Sequence, residues 1–313
     1  MVIRKGIAYI ASALVILTLL GWAAISYAVH NILPYSPIRP HRITRTELTQ
    51  HFPAQLDPGA AGLRYSQLNV TVEDSILLKG WFVFSGTGNA KGTVILLHGI
   101  ASCKESMINV AAKLSRLGYN CILYDSRAHG ESGGLNCTFG YYEKHDVSVF
   151  IDSARTRFPS MGPVGIYGAS LGAAVAIQAM AIDHRIACGI AVSPFATMRE
   201  VVYDYWKHLS RLPLPSITNA SLKRSEEIAH FSVDSVRPEQ AALEIDNPVL
   251  VIHGDQDSKI SIRYGRRVYQ NLRSPGKQWF EVGGAGHNDI ESVAGETYLG
   301  TLAAFLQTNL ITE

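Results

Sequence analysis

Two serines in this sequence of 313 residues lie in the pattern Gly-x-Ser-x-Gly, which is typical of a nucleophile held on a tight turn. The pattern occurs at Ser132 and at Ser170. Such a turn needs a strand that runs directly into it and a helix that leaves directly from it. Ser170 lies between the apolar run 164–167 and the helix-forming run 173–177, whereas two glycines typical of a loop follow Ser132. We therefore expect Ser170 to be the nucleophile.

A serine nucleophile needs a base that takes its proton and a carboxylate that orients the base. In a parallel sheet these groups come from the carboxyl ends of the strands. His287 follows the last predicted strand in a loop of small residues that can carry its imidazole to the serine. Asp255 and Asp257 both follow the preceding strand. Asp257 is favoured as the acid because a turn begun at His253-Gly254 would bring it over the strand end, and Asp255 is interpreted as a turn residue.

Two backbone N–H groups are also needed to hold the oxyanion that forms when the serine attacks a carbonyl group. Leu171, the residue after the nucleophile, is expected to supply one of them. The loop after the predicted strand 93–97 is expected to supply the other, from Ile100 or, as a second choice, Ala101. We interpret His98 as a structural residue that orients this loop, with a role as a second base as the alternative.

The elements that position these residues alternate along the chain, strand after helix. Alternation of this kind predicts a mostly parallel sheet covered by helices on both faces, with the first two strands as a hairpin. A polar and helical insertion is expected over about 195–245. Predicted strands cover 68–72, 77–84, 93–97, 121–124, 164–167, 186–192, 249–252 and 278–282, and predicted helices cover 104–117, 142–157, 171–182, 260–272 and 290–310.

Five motifs in chain order resemble those of the α/β-hydrolase superfamily over about residues 63–310. The similarity is closest to membrane-anchored hydrolases of the serine-aminopeptidase-like and acyl-protein-thioesterase-like branches. The resemblance implies an α/β-hydrolase fold with a short helical cap, and neither a metal nor an organic cofactor. The motifs are His98-Gly99, Asp125–Ser132, Gly168–Gly172, His253–Asp257 and Gly286-His287.

The same resemblance implies a triad of Ser170, Asp257 and His287, and a structural role for Asp125, Arg127 and His129. We expect hydrolysis of a carboxylic ester or thioester through an acyl-enzyme, on a small-molecule or acylated substrate. A peptidase or amidase using the same triad is an alternative, and a non-catalytic scaffold that binds partners at a membrane is another. Aromatic residues of the insertion either line an acyl pocket or only pack on the sheet: Tyr203, Tyr205, Trp206 and Phe231.

The amino-terminal stretch Ile7–Val29 has 23 residues without a charge, enough to cross a bilayer core of about 30 Å. We predict that residues 1–29 are an uncleaved membrane anchor, with a cleaved signal peptide or a buried core helix as alternatives. Residues 30–62 are rich in proline and are predicted to be an irregular connector, and residues 63–313 to be the hydrolase domain. Basic residues flank the stretch on both sides, so the domain is placed on the exported side only because the amino-terminal tail is short.

The composition excludes several classes of protein. Apolar residues make up 47% and charged residues 17%, which is typical of a globular chain. The net charge of +2 comes from the amino-terminal 46 residues, so the rest has no basic surface for nucleic acid. The oligomeric state stays open.

The four cysteines lack metal-site spacing. Cys121 and Cys188 are expected in the core, whereas Cys103 and Cys137 lie near loops and could pair in an exported domain.

Overall fold

The structure of the protein is a computed structural model that describes residues 2–51 and 56–310. Met1, residues 52–55 of the predicted connector and the last three residues of the predicted domain lie outside the described part. Pro53, one of the prolines that suggested a connector, is among them. The bounds that follow therefore refer to the two described ranges.

The described elements alternate in the order that the sequence predicts. The strands are Tyr65–Gln67 (β1), Val70–Thr71 (β2), Leu77–Leu78 (β3), Gly80–Val83 (β4), Thr93–Leu97 (β5), Asn120–Tyr124 (β6), Val164–Ala169 (β7), Ile186–Val192 (β8), Val249–Gly254 (β9) and Gln278–Val282 (β10). The helices are Val2–Asn31 (α1), Tyr35–Ile38 (α2), Arg45–His51 (α3), Ile108–Arg116 (α4), Glu143–Arg157 (α5), Leu171–Met180 (α6), Met198–Ser210 (α7), Pro215–Ala229 (α8), Pro238–Ala241 (α9), Ile262–Asn271 (α10), Ile290–Ala294 (α11) and Glu296–Asn309 (α12).

The main sheet has the strand order β1-β4-β6-β5-β7-β8-β9-β10, and the strands from β6 to β10 run parallel. Strands β1 and β4 are antiparallel at one edge. The predicted first hairpin is present as β2 and β3, but it is a separate small sheet. The predicted strand 77–84 divides at Lys79, and its second half joins the main sheet instead. The mostly parallel α/β architecture is confirmed.

The sheet is covered on both faces, which explains why its strands are continuous apolar runs. All five residues of β5 are buried. Ile95 and Leu97 belong to the hydrophobic cluster on one face, and Val94 and Leu96 belong to the cluster on the other. The strand ends are therefore held between two packed layers, and their carboxyl ends meet at one edge of the sheet.

The cap, also called the cap hairpin, consists of the two packed helices α7 and α8, inserted between β8 and β9. Thr197 caps the start of helix α7, because its hydroxyl accepts from the Glu200 N–H at 3.2 Å and donates to the Glu200 carboxylate at 2.8 Å. Helix α8 begins at Pro215, which suits the first turn of a helix. Arg211 ends α7 in the left-handed conformation, and residues 211–214 turn the chain into α8.

Residues 34–42, here called the strap, are more ordered than the irregular connector that the prolines suggested. Ile38 is completely buried in the main core cluster, and its carbonyl accepts from the Cys137 N–H at 2.7 Å. The Pro34 carbonyl accepts from the Ser225 hydroxyl of α8 at 2.7 Å. Short helices tolerate proline in their first turn, so proline content alone does not distinguish a packed segment from a loose linker.

Helix α1 is, within the described residues, the one helix long and apolar enough to cross a membrane. It lies near the amino terminus, and its apolar side chains are exposed, with exposed fractions of 59% at Leu14 and 64% at Leu17. A signal sequence near the amino terminus can meet the same criteria of length and apolar composition. The helix is therefore a candidate membrane anchor.

Candidate active site

The turn between β7 and α6 holds Ser170 in a backbone conformation that L-residues rarely adopt, with φ of 56° and ψ of −115°. A Cβ atom at Gly168 would lie 2.1 Å from the Gly172 carbonyl oxygen, and one at Gly172 would lie 2.2 Å from the Leu97 carbonyl oxygen. Only glycine fits at both positions, so the two motif glycines let strand, turn and helix pack this closely. The turn projects the Ser170 side chain at the carboxyl edge of the sheet.

The structure brings Ser170, His287 and Asp257 together. The Ser170 hydroxyl oxygen lies 3.0 Å from Nε2 of His287, and Nδ1 of His287 lies 2.7 Å from a carboxylate oxygen of Asp257. Because an ionised carboxylate only accepts, Nδ1 carries the proton and Nε2 is free to accept from the serine. His287 lies in the loop after β10 and Asp257 in the loop after β9, as predicted from their positions at the strand ends.

The Asp257 carboxylate is buried, and both of its oxygens accept hydrogen bonds. Its second oxygen accepts the N–H groups of Lys259 at 3.0 Å and Ile260 at 2.8 Å. Burial raises its pKa, but hydrogen bonds from His253, His287 and the Ile260 N–H outweigh burial and hold the pKa well below its usual range. Asp257 is therefore ionised at neutral pH, as an orienting carboxylate must be.

His253 is a neighbour of Asp257 that the sequence interpretation assigned only to the start of a turn. Its Nε2 lies 2.9 Å from the Ile260 carbonyl oxygen and 3.4 Å from the Asp257 carboxylate, and its ring is completely buried. Its position four residues before the acid, at the end of a strand, is the sequence signal that could have predicted this contact. The ring steadies the loop that carries the carboxylate.

Asp255 does not reach the histidine. Its side chain is exposed, and a carboxylate oxygen accepts the Gly284 N–H at 2.7 Å. That contact shapes the glycine-rich loop that carries His287. The geometry therefore agrees with the interpretation of Asp255 as a turn residue.

The two expected oxyanion donors belong to residues that line the same cavity as Ser170. Leu171 is the first residue of α6, so its N–H has no carbonyl partner inside the helix and lies at the positive end of the helix dipole. Ile100 follows β5, and both residues line the same cavity as Ser170. Ala101, the second choice, has a positive φ of 51°. The two expected donors therefore come from the first residue of α6 and from the loop after β5.

An apolar cavity of about 230 Å³ lies over Ser170. Tyr205 and Trp206 of the cap line it, whereas Phe231 packs in the core against Tyr141 at a ring distance of 6.0 Å. Ser36 and Pro37 of the strap form part of its wall, which the sequence did not predict. The full lining is Ser36, Pro37, Ile100, Phe139, Ser170, Leu171, Phe195, Val201, Val202, Tyr205, Trp206, Leu209 and Ile260.

Known proteins resemble this chain in sequence and in fold. The family described as serine aminopeptidase, S33, matches residues 88–239. Human alpha/beta hydrolase domain-containing protein 17B is 29% identical over 71% of this chain and 69% of its own length. The esterase Pf2001 of Pyrococcus furiosus superposes with a TM-score of 0.68 at 25% identity, over 81% of this chain and 96% of that structure. The chain belongs to the α/β-hydrolase superfamily. The Bacillus subtilis protein YqkD, which has no described function, is 28% identical over 73% of this hydrolase and 75% of its own length.

The second Gly-x-Ser-x-Gly match of the hydrolase is structural. The Ser132 side chain is buried, donates to the Asp125 carbonyl at 2.6 Å and accepts the Lys79 N–H at 2.8 Å. The Asp125 carboxylate accepts the Lys104 N–H at 2.7 Å and its ammonium at 2.8 Å. Ser132 therefore joins the turn after β6 to neighbouring backbone and lies in a loop, as expected.

The loops after β5 and β6 of the hydrolase are fixed by hydrogen bonds and an ion pair from Arg127, His129 and His98. Arg127 forms a two-pronged ion pair with Asp146 at 2.7 and 2.8 Å, and Nδ1 of His129 lies 2.8 Å from the Arg127 carbonyl oxygen. His98 accepts the Ser126 N–H at 3.0 Å through Nε2. Burial lowers the pKa of His98, so it stays neutral and orients the loop rather than acting as a base.

All four cysteines of the hydrolase are free and buried in the structure, including the two that lie near loops. Burial raises the pKa of Cys103 to about 12 and that of Cys188 to about 12, so neither is a reactive thiolate. Among the described residues, no three histidine, cysteine or acidic side chains converge as a metal site would require.

Proposed function

We propose that this hydrolase cleaves carboxylic esters or thioesters through an acyl-enzyme on Ser170. The observation that carries the proposal is the chain of two hydrogen bonds, 3.0 Å from Ser170 to His287 and 2.7 Å from His287 to Asp257. His287 takes the serine proton through Nε2 while the serine oxygen attacks the carbonyl carbon. Asp257 stabilises the imidazolium that forms.

The second half of the reaction follows from the same groups. The N–H groups of Leu171 and Ile100 hold the oxyanion, and its collapse breaks the bond to the leaving alcohol or thiol, which takes the proton from His287. Water then attacks the acyl-enzyme, giving its proton to His287, and the serine leaves with that proton as the acid is released. A scaffold without catalysis would have no need for this ordered chain of donors and acceptors.

The cavity favours an acyl substrate over a peptide amino terminus. Among the described residues that line it none is charged, and most are apolar or aromatic. An aminopeptidase needs an acidic group to pair with the substrate ammonium, because an unpaired charge in such a cavity is strongly unfavourable. The cavity is instead suited to a hydrocarbon chain, in agreement with the esterase among the structural relatives.

We propose in addition that α1 is an uncleaved anchor and that the domain lies on the exported side. Signal peptidase would have to cut after Ala28, but α1 continues as a helix to Asn31 and Val29 is buried. Cleavage there would divide α1, the helix that packs against α8 of the folded domain. Arg4 and Lys5 lie within α1 before the uncharged stretch, and cations there favour a cytoplasmic amino end, against the opposing effect of Arg39, Arg42 and Arg45 after the stretch.

One labelling experiment tests both proposals. Membranes from cells that express the full chain are extracted with alkaline carbonate and treated with a fluorescent fluorophosphonate. We expect the labelled protein to stay in the membrane pellet at full length, and Ser170→Ala to remove the label. Ser193→Ala is the matched control, because that hydroxyl lies on the neighbouring strand end, is buried and has no partner.

The results have separate meanings. Labelling of the Ser170→Ala protein would contradict the nucleophile, and loss of labelling only in Ser132→Ala would transfer the role to the other motif. A shortened, soluble labelled protein would show a cleaved signal. Rates on p-nitrophenyl esters of increasing chain length and on aminoacyl p-nitroanilides then distinguish an esterase from an aminopeptidase.

A further inference from the structure

Helix α1, here called the span, ends close to the apolar cavity over Ser170, here called the acyl cavity, if it crosses a bilayer. The 30 residues of α1 give a helix of about 45 Å, whereas the hydrocarbon core measures about 30 Å and the whole bilayer about 40–45 Å. The carboxyl end of α1 therefore emerges at the outer edge of the headgroup layer. Ser36, on the cavity wall, follows Asn31 by five residues, which extend at most about 18 Å.

The connection between the span and the cavity is fixed rather than flexible. Helix α8 packs against both α1 and α2, and the Ser225 hydroxyl donates to the Pro34 carbonyl at 2.7 Å. The Arg42 guanidinium donates to the Gly130 carbonyl at 3.2 Å and to the Gly134 carbonyl at 3.0 Å. The strap is thereby held at both ends, so the cavity keeps a constant position relative to the membrane surface.

The end of the cap hairpin exposes apolar side chains beside this cavity. Leu209 is 74% exposed and also lines the cavity, and Leu212 is 58% exposed. Both leucines lie at the junction of α7 with α8, the helix that packs on the span. Large exposed leucines at the rim of an apolar cavity are unfavourable in water and indicate a surface that meets an apolar phase.

Basic residues lie close to these leucines in the chain. Lys207 and Arg211 are exposed two residues before and two residues after Leu209, and both line an open groove that Lys259 lines as well. Asp204, the acidic residue of that groove, is already paired with Arg263 at 2.9 Å. Leucines flanked by long cationic side chains match a membrane surface, because the leucines enter the acyl layer while the cations reach anionic headgroups.

We propose that the hairpin end, residues 207–213, docks on the anionic headgroup surface of the membrane that α1 spans, so that the acyl cavity receives the chain of a lipid-embedded ester. The inference rests on the proposed anchor and hydrolase activity. Leu209 lies at the edge of the cavity that the acyl chain would cross, and Lys207 and Arg211 bind the anionic headgroups beside it. Substrates then reach Ser170 from the bilayer rather than from water.

The first test measures the position of the hairpin end. The full chain, reconstituted in vesicles of phosphatidylcholine and phosphatidylglycerol in equal amounts, carries an environment-sensitive fluorophore at Leu212→Cys. The native cysteines are buried, so the new thiol is labelled selectively. Asn89→Cys is the control, because this exposed residue precedes β5 at the opposite edge of the sheet. Lipids brominated on the acyl chain should quench the first fluorophore several-fold more than the second, and equal quenching overturns the proposal.

The second test separates docking from catalysis. In the same vesicles, Arg211→Glu should lower hydrolysis of a lipid-embedded fluorogenic long-chain ester about tenfold, because a cation on an anionic surface is replaced by an anion. Hydrolysis of water-soluble p-nitrophenyl butyrate should be unchanged, since Arg211 does not line the cavity. Equal rates of both proteins on the embedded ester overturn the docking surface.

Controls on the unaltered chain distinguish failure of the foundations from failure of docking. If the unaltered chain does not hydrolyse p-nitrophenyl butyrate, the proposed activity is wrong. If it does not float with the vesicles, the proposed anchor is wrong. If it does both and the two tests give equal quenching and equal rates, only the docking surface is wrong. A tenfold loss that disappears in vesicles of pure phosphatidylcholine supports recognition of the anionic headgroup.

Discussion

Replacement of Asp257 by asparagine tests whether this carboxylate keeps His287 in the tautomer that catalysis needs. One Asp257 oxygen accepts the N–H groups of Lys259 and Ile260, so an asparagine carbonyl would take that position. The amide NH₂ would then face Nδ1 of His287 in place of an acceptor. Because an amide N–H donates, Nδ1 must accept, and the ring proton moves to Nε2.

That tautomer cannot take the proton of Ser170, which lies 3.0 Å from Nε2. In triads of this type the same replacement lowers kcat by about four orders of magnitude. This loss corresponds to about 5.5 kcal/mol in the activation free energy. We expect a loss of this size for Asp257→Asn in kcat for p-nitrophenyl butyrate, with a much smaller change in KM.

The matched control is Asp255→Asn. Asparagine at this position can still accept the Gly284 N–H with its side-chain oxygen, so the loop keeps its shape and the turnover should fall less than about tenfold. Thermal unfolding of both proteins checks that they are folded at the assay temperature. If the Asp255 protein is inactive and the Asp257 protein is nearly normal, the acid is Asp255 and the reasoning from the loop geometry is wrong.

Two further predictions concern stability. Because Ile38 is completely buried, Ile38→Ala should lower the unfolding free energy by about 2–5 kcal/mol and the Tm by about 3–8 °C. Ile32 is exposed, so Ile32→Ala should leave the Tm almost unchanged. Equal Tm values for the two proteins would show that the strap is not part of the folded core. Burial holds the pKa of His129 at about 3, so below about pH 6.5 the unfolded chain binds a proton there and the native state does not, which removes about 2 kcal/mol of stability by pH 5. Urea unfolding at pH 7 and pH 5 should show that this loss is smaller in His129→Asn. An equal loss in both proteins would contradict the prediction.

The strand ends were predictable because the strands are covered on both faces. A strand buried on two sides must be apolar along its whole length, and the run 164–167 meets this condition just before a glycine-rich turn. The positions of Ser170, Asp257 and His287 then follow from the rule that sites lie at the carboxyl ends of parallel strands. Local composition was sufficient for this part of the candidate site.

The strap and the division of the first strands could not be predicted from local composition. Ser36 and Ser170 lie on one cavity although they are far apart in the chain, and no periodic pattern near Ser36 indicates that contact. The buried Ile38 was one apolar residue in a proline-rich stretch, and its burial depends on a space left by distant elements. Strand β1, with three residues at the edge of the sheet, is too short to give a periodic signal.

The glycines around the candidate site show what fixes the distances between its side chains. A Cβ at Gly254, the last residue of β9, would lie 2.3 Å from the carbonyl oxygen of Ala285, in the loop that carries His287. A Cβ at Gly265 of α10 would lie 2.3 Å from Nδ1 of His253, the ring that contacts the acid. The first glycine lies against backbone and the second against the buried His253 ring, so neither position has room for a side chain. The main-chain contact of Gly254 with Ala285 thus sets the separation of the acid and histidine loops, and that separation in turn sets the hydrogen-bond distance between Asp257 and His287.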